Sequence, residues 1–334
     1  MTHSHTPQVA SDTLSNGDAR TGKSQVRTTL AGLPLVWQVS RLAANASGPR
    51  GWIRRLRFMH RAAAARHILA PVLAAAPSSA LARLIRDRPM MIEMVVSPYL
   101  CAAWTAEQRF ARIRDHCAIV ERLGLPFDFR VEDSIELLDL GTIQGGLHVV
   151  LDQAEWFHRE GQLVLNLFVA NRRIFSLAFS LATGQVGTIA YVGAVQGRAL
   201  EGVLDDYKEL TKAACGMRPR DLLIELFRIL CRVAGFTEIR AVSDASRQHR
   251  SRYFGPDTRR KLPANYDEIW LERGGERIDD DFFSLPLAVV RDEADVPARK
   301  RAMYRRRAEM LAAIEAQMRL RFAEAKPVRR PQAE

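Results

Sequence analysis

The chain has 334 residues, 47% of them hydrophobic and 26% charged, so it can bury a large core in one domain or two. Its net charge is +11, and the excess lies at the ends: Lys and Arg outnumber Asp and Glu by thirteen to three in residues 1–90 and by eleven to four in residues 299–334, against 25 to 31 in residues 91–298. Basic ends on a mildly acidic body favour an anionic partner contacted by the ends, such as a lipid surface, nucleic acid or an acidic carrier protein. The sequence has no RNA- or DNA-binding motif and the body is acidic, so nucleic acid ranks third among these partners. Solvated basic helices without a partner explain the same charges.

The N-terminal region is predicted to begin with a disordered tail over residues 1–30, which are polar and lack the apolar core of a signal peptide. Residues 31–125 form a basic region that we expect to be helical. Within it, "RGWIRRLRFMHRAAAARH" mixes arginines with apolar residues, a pattern typical of a helix at a membrane interface and also of a basic helix packed on the domain. The most apolar stretch, residues 68–85, is broken by Pro71 and Pro77, so no transmembrane helix is expected.

The core is predicted to follow one well-marked helix. Thr105 is the expected N-cap of that helix, Gly124 marks its end, and apolar residues recur between them at helical spacing. The apolar runs "GLHVVLD", "GQLVLNLFVAN", "RRIFSLAFSLAT" and "GQVGTIAYVGAVQG" then predict an antiparallel meander. These runs are apolar on both faces, so helices must cover at least one face. The result is an α/β (α+β) core over residues 126–298, built on a largely antiparallel central sheet.

The remainder of the chain is predicted to alternate helices with short strands. "MRPRDLLIELFRILCRVAGF" indicates a helix that begins at Pro219, followed by the strand "TEIRAVSD". "DFFSLPLAVV" indicates a last strand, which Pro286 should place at an edge or a bulge. Residues 299–326 are predicted to form a long basic helix packed on the core, and residues 327–334 a free tail.

The cysteines and histidines do not indicate a metal or disulfide protein. The four cysteines have no C-x-x-C spacing, and no pair of them lies beside two histidines at a ligand spacing. We therefore expect no zinc site, no metal cofactor and no disulfide framework. Reduced cysteines favour a cytoplasmic location, and the basic ends favour a peripheral position at the inner membrane.

An anion site is predicted around "YVGAVQG" and "TKAACGMRPRDLL". A glycine turn precedes a helix that begins with proline, and Arg218 and Arg220 flank the first residue of that helix. Helix-start amides and guanidinium groups both bind phosphate, and Gln196 and Lys212 lie close by in the sequence. The alternative is that one arginine forms an ion pair with a nearby carboxylate and the other is solvated.

A general base is harder to identify from the sequence. His116, Asp244 and His249 are the candidates, although no G-x-S-x-G motif precedes any serine. Cys215, next to a glycine and near cationic residues, is either a nucleophile or a small packing side chain. We therefore expect the residues of the anion site to position a substrate, and we identify no general base with the same support.

Several ordered blocks resemble the VirK/YbjX family of Gram-negative bacteria. They are "SPYL", "RRIFSLAFSL", "YVGAVQG", "TKAACGMRPRDLL", "AVSD", "FFSLP" and "ARKRAMYRRR", spread over about residues 89–310. The resemblance implies a domain of unknown biochemical activity that is linked to virulence, to envelope or lipid remodelling, and to resistance to cationic antimicrobial peptides. Cys215 stands where the family commonly has histidine, so a catalytic histidine at that position is not expected here.

The order of elements also resembles GNAT-like acyltransferases. The loop "QGRALEG" departs from the Gln/Arg-x-x-Gly-x-Gly/Ala pattern that holds pyrophosphate in those enzymes, so the likeness is one of topology. It implies an acyltransferase whose donor is either acyl-CoA or an acyl carrier protein. The alternative is a non-enzymatic factor that docks on a membrane surface or binds a partner.

Overall fold

The computed structural model describes residues 36–37, 39–40, 49–198, 202–254, 264–289 and 297–329. The tail predicted over residues 1–30 lies outside these ranges. Among the described residues, no helix combines the length and the apolar content that a membrane-spanning segment requires.

Helices form the N-terminal part, as the sequence predicts. They are α1 (Pro49–Ala64), α2 (Arg66–Leu73), α3 (Ala80–Asp87), a 3-10 helix (Pro89–Val95) and α4 (Ala106–Leu123). The start of α4 is held by a capping box, in which the Thr105 hydroxyl accepts from the Gln108 amide and the Gln108 side chain accepts from the Thr105 amide. Gly124 ends the helix at φ +66°, a backbone conformation that glycine adopts without strain.

A single mixed sheet organises the rest of the described chain. Its strands are β1 (Asp133–Asp139), β2 (Leu147–Asp152), β3 (Leu163–Val169), β4 (Arg172–Thr183), β5 (Thr188–Gly197), β6 (Glu238–Val242), β7 (Glu276–Arg277), β8 (Phe282–Leu285) and β9 (Val328–Arg329). They lie in the order β7-β8-β6-β5-β4-β3-β2-β1-β9. Strands β2 to β5 form the predicted antiparallel meander. Strand β1, which the sequence analysis did not single out, extends it by pairing with β2. The expected fold class is confirmed.

Two details of the sheet edges differ from expectation. Strand β8 lies between β6 and β7 and ends one residue before Pro286, so the proline terminates an inner strand rather than marking an edge. The backbone hydrogen bonds of β8 are therefore complete before the residue that cannot donate one. At the other edge Val328 pairs with Ser134, so part of the expected C-terminal tail adds a short strand to the sheet.

Different segments cover the two faces of the sheet. On one face the Phe179 ring packs against Phe227 of α6 (Pro219–Val233), with ring centroids 4.9 Å apart. Neighbouring Ala178 points the opposite way and packs with Phe157, from a short 3-10 turn (Glu155–Phe157) that crosses the second face. Because both faces of β4 are covered, its side chains are almost all buried.

The remaining helices are α5 (Val203–Ala213), α7 (Tyr266–Glu272) and α8 (Ala298–Phe322). The long basic helix α8 packs against α6 and β1, and it buries Ile314 and Met318. Hydrophobic residues from the N-terminal helices, the sheet and α8 belong to one continuous core cluster.

Candidate functional site

The centre of the sheet contains a point where two strands separate. Strands β5 and β6 form the one parallel pair of the described sheet, and their register runs from Ile189 opposite Glu238 to Val192 opposite Ala241. Beyond Val192, β5 continues for five residues without β6 beside it. There the Tyr266 hydroxyl takes the place of a neighbouring strand: it accepts from the Val195 amide at 3.0 Å and donates to the Val195 carbonyl at 3.2 Å. We call this region the β5–β6 fork.

A glycine at the fork allows a loop to lie directly on β5. Register shifts between Ala178 and Phe179, so that Gly193 has no partner in β4 and forms a bulge. A Cβ at Gly193 would overlap the carbonyl group of Glu160, coming within 2.8 Å of its carbon. Only glycine accommodates this close approach, which seats Glu160 against the sheet at the fork.

The Glu160 carboxylate is buried and only partly satisfied. Its side chain is 5% exposed, and Oε1 accepts from Gln248 Nε2 at 2.9 Å and lies 3.7 Å from His249 Nε2. Oε2 has no hydrogen-bond partner among the described residues. Burial raises the pKa of Glu160 from 4.5 to about 7, against the lowering effect of the Gln248 bond and of Arg159. Such a carboxyl group exchanges its proton near neutral pH, as a general base must.

His249 lies beside this carboxylate as a neutral imidazole. Burial, with Arg247 and Arg159 nearby, lowers its pKa to about 4. Its ring lies 5.5 Å from that of Phe254, and its side chain remains about one-third exposed. Near pH 7 the pair therefore holds at most one negative charge and no positive charge of its own.

Glu93 and Arg159 connect the segment 248–254 to the loop that carries Glu160. Arg159 Nη2 lies 2.9 Å from buried Glu93 Oε2, and the Tyr253 hydroxyl donates to the same carboxylate. The Arg159 guanidinium also lies 5.6 Å above the Phe254 ring. These contacts fix residues 248–254 against the Glu160 loop, so the geometry of the carboxylate is set in advance.

The predicted base candidates fall in different places. Asp244 and His249 both belong to the loop that follows β6, as the sequence indicated. The Asp244 carboxylate accepts from the Tyr266 amide at 3.2 Å and from Arg247 at 3.3 Å, and it pairs with Arg250. Burial works against these bonds, yet the net effect is a lowered pKa. Asp244 therefore anchors α7 and the loop, and its oxygens are already engaged.

His116 has a structural environment. It lies 4% exposed inside α4, and its Nδ1 accepts from the Leu181 amide at 3.1 Å, in the stretch of β4 that β3 does not reach. Burial lowers the pKa of His116 to about 3, so the ring stays neutral. The histidine completes the backbone hydrogen bonding of β4 at Leu181, which pairs with Ala190 of β5, and its Nδ1 is already engaged there.

The predicted anion residues are only partly brought together. Arg218 lines a groove at the start of α6, whereas Arg220 pairs with Asp221 at 2.9 Å and with Glu272 at 2.6 Å, the ion-pair alternative considered for one arginine. Lys212 is exposed in the last turn of α5, and half-buried Gln196 lies one residue before the end of β5; neither lines that groove.

Sequence reasoning missed the central residue of the site. Glu160 belongs to "HREGQ", directly before β3, and the signal was a polar cluster with a glycine next to a strongly apolar strand. No group of three His, Cys, Asp or Glu side chains in the described part of the chain is arranged to hold a metal ion.

Comparison with known proteins places the chain in a family. Residues 48–320 match the family described as "Protein of unknown function (DUF535)", and because the match covers most of the chain, the protein belongs to this family. The uncharacterized protein YbjX of Escherichia coli (strain K12) is 27% identical over 245 residues, which are 72% of this chain and 74% of that protein. The resemblance expected from the sequence is thereby confirmed.

Two further relatives match shorter regions. An uncharacterized protein of Haemophilus influenzae is 30% identical over 174 residues, 52% of this chain and 57% of the relative, so the chain spans little more than half of that protein. A Mannheimia haemolytica protein named "Membrane protein LapB" is 25% identical over 156 residues, 47% of this chain and 67% of the relative. No solved structure matches the chain.

Proposed function

We propose that the protein is an acyltransferase whose general base is Glu160. The observation that carries this proposal is a buried carboxyl group with a pKa of about 7, seated on the bulge of β5 where β5 and β6 separate. The order of elements, which the sequence analysis compared with GNAT-like acyltransferases, supports the same reaction class by analogy. The donor is an acyl thioester, either acyl-CoA or an acyl carrier protein.

The chemistry assigned to Glu160 is proton transfer. Its carboxylate takes a proton from an amine or hydroxyl acceptor, whose nitrogen or oxygen forms a new bond to the acyl carbon. The C–S bond of the thioester then breaks, and the proton passes from Glu160 to the departing thiolate, so the base is regenerated. General bases of this kind contribute about 10² to 10⁴ in rate. His249, kept neutral, adds no positive charge that would lower the basicity of the carboxylate.

The test measures thiol release from acyl-CoA and from an acyl carrier protein in the presence of total bacterial lipid as the acceptor. We expect wild-type activity to rise with pH through about 7, where Glu160 loses its proton. Glu160→Gln should lower the rate at least about 100-fold, while Glu155→Gln, an exposed glutamate of the same loop, should leave it unchanged. Thiol release that Glu160→Gln does not affect would contradict the assignment.

A second candidate function, contact with an anionic membrane surface, rests on α1. This helix has no acidic residue in its sequence and exposes Trp52, Ile53 and Leu56, which are 53%, 48% and 63% accessible, next to exposed Arg57. Apolar and cationic side chains exposed together on one helix bind headgroups and insert at the interface. The Mannheimia relative is named as a membrane protein, which agrees with this contact.

The two functions are compatible. A lipid acceptor at the membrane surface would connect acyl transfer with the envelope remodelling and the resistance to cationic antimicrobial peptides that the family resemblance implies, and it would place the protein at the cytoplasmic side of the inner membrane. Co-sedimentation with phosphatidylglycerol vesicles tests the contact. Trp52→Ser with Leu56→Ser should lower the bound fraction several-fold, and Val186→Ser, a more exposed apolar residue in the β4–β5 turn, should not. Binding that survives the double substitution would exclude α1 as the contact.

A further inference from the structure

A groove lies between the start of α6, the end of α7 and the N-terminal half of α8. It consists of two adjoining lobes of about 490 Å³ and 310 Å³, and both are lined by Met217, Glu272, Arg273, Tyr304 and Arg307. Cavities of this size hold small molecules. The groove lies on the α6 side of the sheet, whereas the loop that carries Glu160 packs on the opposite face.

The smaller lobe is cationic. Its lining includes Arg218, Arg273, Lys300 and Arg307, against the carboxylates of Asp221 and Glu272. Both carboxylates already pair with Arg220, at 2.9 Å and 2.6 Å. Asp221 also lies 3.8 Å from Arg273. Arg218, Lys300 and Arg307 pair with no carboxylate of the described residues, so this lobe keeps an excess of positive charge.

One guanidinium group of this lobe, that of Arg307, is held in place before any ligand binds. Arg307 Nη2 donates to the Cys215 carbonyl at 2.8 Å, and its guanidinium lies 4.7 Å above the Tyr304 ring. Cys215 and Gly216 both have positive φ, +52° and +78°, and this tight turn brings the start of α6 against α8. The Nε groups of Arg307 and Arg273 are buried without an acceptor among the described residues, so neither guanidinium is fully satisfied by the protein.

The larger lobe adds apolar side chains to the groove, among charged ones such as Glu225, Arg228 and Arg305. Leu271, Val289 and Leu311 line it, and the first two are 60% and 41% exposed although they border a concave surface. Exposed apolar side chains beside a cationic lobe suit a ligand that has one charged end and one apolar end.

We propose that this groove binds a phosphate ester that carries an apolar tail. Arginine donors match phosphate oxygens in pairs, and the first amides of α6, to which the side chain of its N-cap residue Arg218 makes no bond, favour the same charge. The phosphate lies among Arg218, Lys300 and Arg307, and the tail lies along Leu271 and Val289. This site is independent of acyl transfer at Glu160.

Titration calorimetry with hexyl phosphate, inorganic phosphate and hexanol tests the proposal. We expect the wild-type protein to bind hexyl phosphate at least about tenfold more tightly than inorganic phosphate, and not to bind hexanol, because affinity needs both ends. Arg218→Gln with Lys300→Gln should weaken hexyl phosphate at least about tenfold. Arg299→Gln with Arg306→Gln removes the same charge from exposed positions of α8 outside the groove and should change the affinity less than about threefold.

Equal losses in the two double variants, or hexyl phosphate bound no more tightly than inorganic phosphate, would overturn the proposal. Vesicles that contain dioleoyl phosphatidic acid in phosphatidylcholine distinguish the sources of the ligand. Vesicle binding that falls in the groove variant identifies a bilayer lipid, and unchanged vesicle binding with weakened hexyl phosphate identifies a soluble phosphate ester; both support the site. Glu160→Gln should bind hexyl phosphate as the wild type does, so loss of acyl transfer leaves this result standing.

Discussion

Replacing Glu160 by glutamine should make the protein less sensitive to pH. Glutamine keeps the shape of the side chain and an oxygen that accepts from Gln248, but it carries no titrating proton. In the wild type the folded state holds this proton up to a pH of about 7, whereas the unfolded state releases it near 4.5. The folded state therefore binds more protons than the unfolded state between these values, and stability falls as pH rises through that window.

The magnitude follows from the size of the pKa shift. Between pH 5 and pH 8, this one carboxyl group should lower the free energy of unfolding by about 2–3 kcal/mol. Glu160→Gln abolishes that loss, so the stability difference between variant and wild type should grow in favour of the variant by the same amount across this range.

Urea denaturation at several pH values, followed by tryptophan fluorescence, measures the difference. Glu155→Gln provides the control, because Glu155 is exposed in the same loop. Parallel stability curves for wild type and Glu160→Gln would refute the buried, proton-retaining state of Glu160 and with it the reasoning that makes this residue a base.

Two further substitutions test the structure of the fork. Gly193→Ala should destabilise the protein by about 1–3 kcal/mol or more, because the added Cβ overlaps the Glu160 carbonyl. The control is Gly145→Ala, whose Cβ meets no atom within 4 Å and which should be close to neutral. Equal thermal midpoints for the two variants would contradict the close approach of Glu160 to β5. Tyr266→Phe should cost about 1–3 kcal/mol, because it leaves the Val195 amide and carbonyl buried without their partner. An unchanged denaturation midpoint for Tyr266→Phe would show that these groups are satisfied in another way.

The sequence predicted those parts of the fold that depend on local signals. The capping residue Thr105, the proline that starts α6 and the alternation of apolar runs each act within a few residues, and each prediction agrees with the structure. The prediction that β8 lies at an edge or a bulge was wrong, because a proline shows where a strand stops pairing but not which strands lie beside it.

The candidate site was predictable only in part for the same reason. Asp244 and His249 were recognised from their place after a strand, yet the bonds that engage Asp244 come from α7 and from the loop itself. Arg220 looked like an anion ligand in the sequence, and it pairs with Glu272, fifty-two residues away. A sequence pattern shows which groups carry charge, but the partners that neutralise them are chosen by the fold.

By itself, the sequence determined the α+β class, the basic ends, the family and the stretch "YVGAVQG" as the end of a central strand. Only the tertiary structure decided why that stretch contains Gly193: a loop from elsewhere in the chain lies on it and buries the Glu160 carboxylate at the β5–β6 fork. The physical reason is that burial, which raises the pKa of Glu160, depends on contacts between segments that are distant in the sequence.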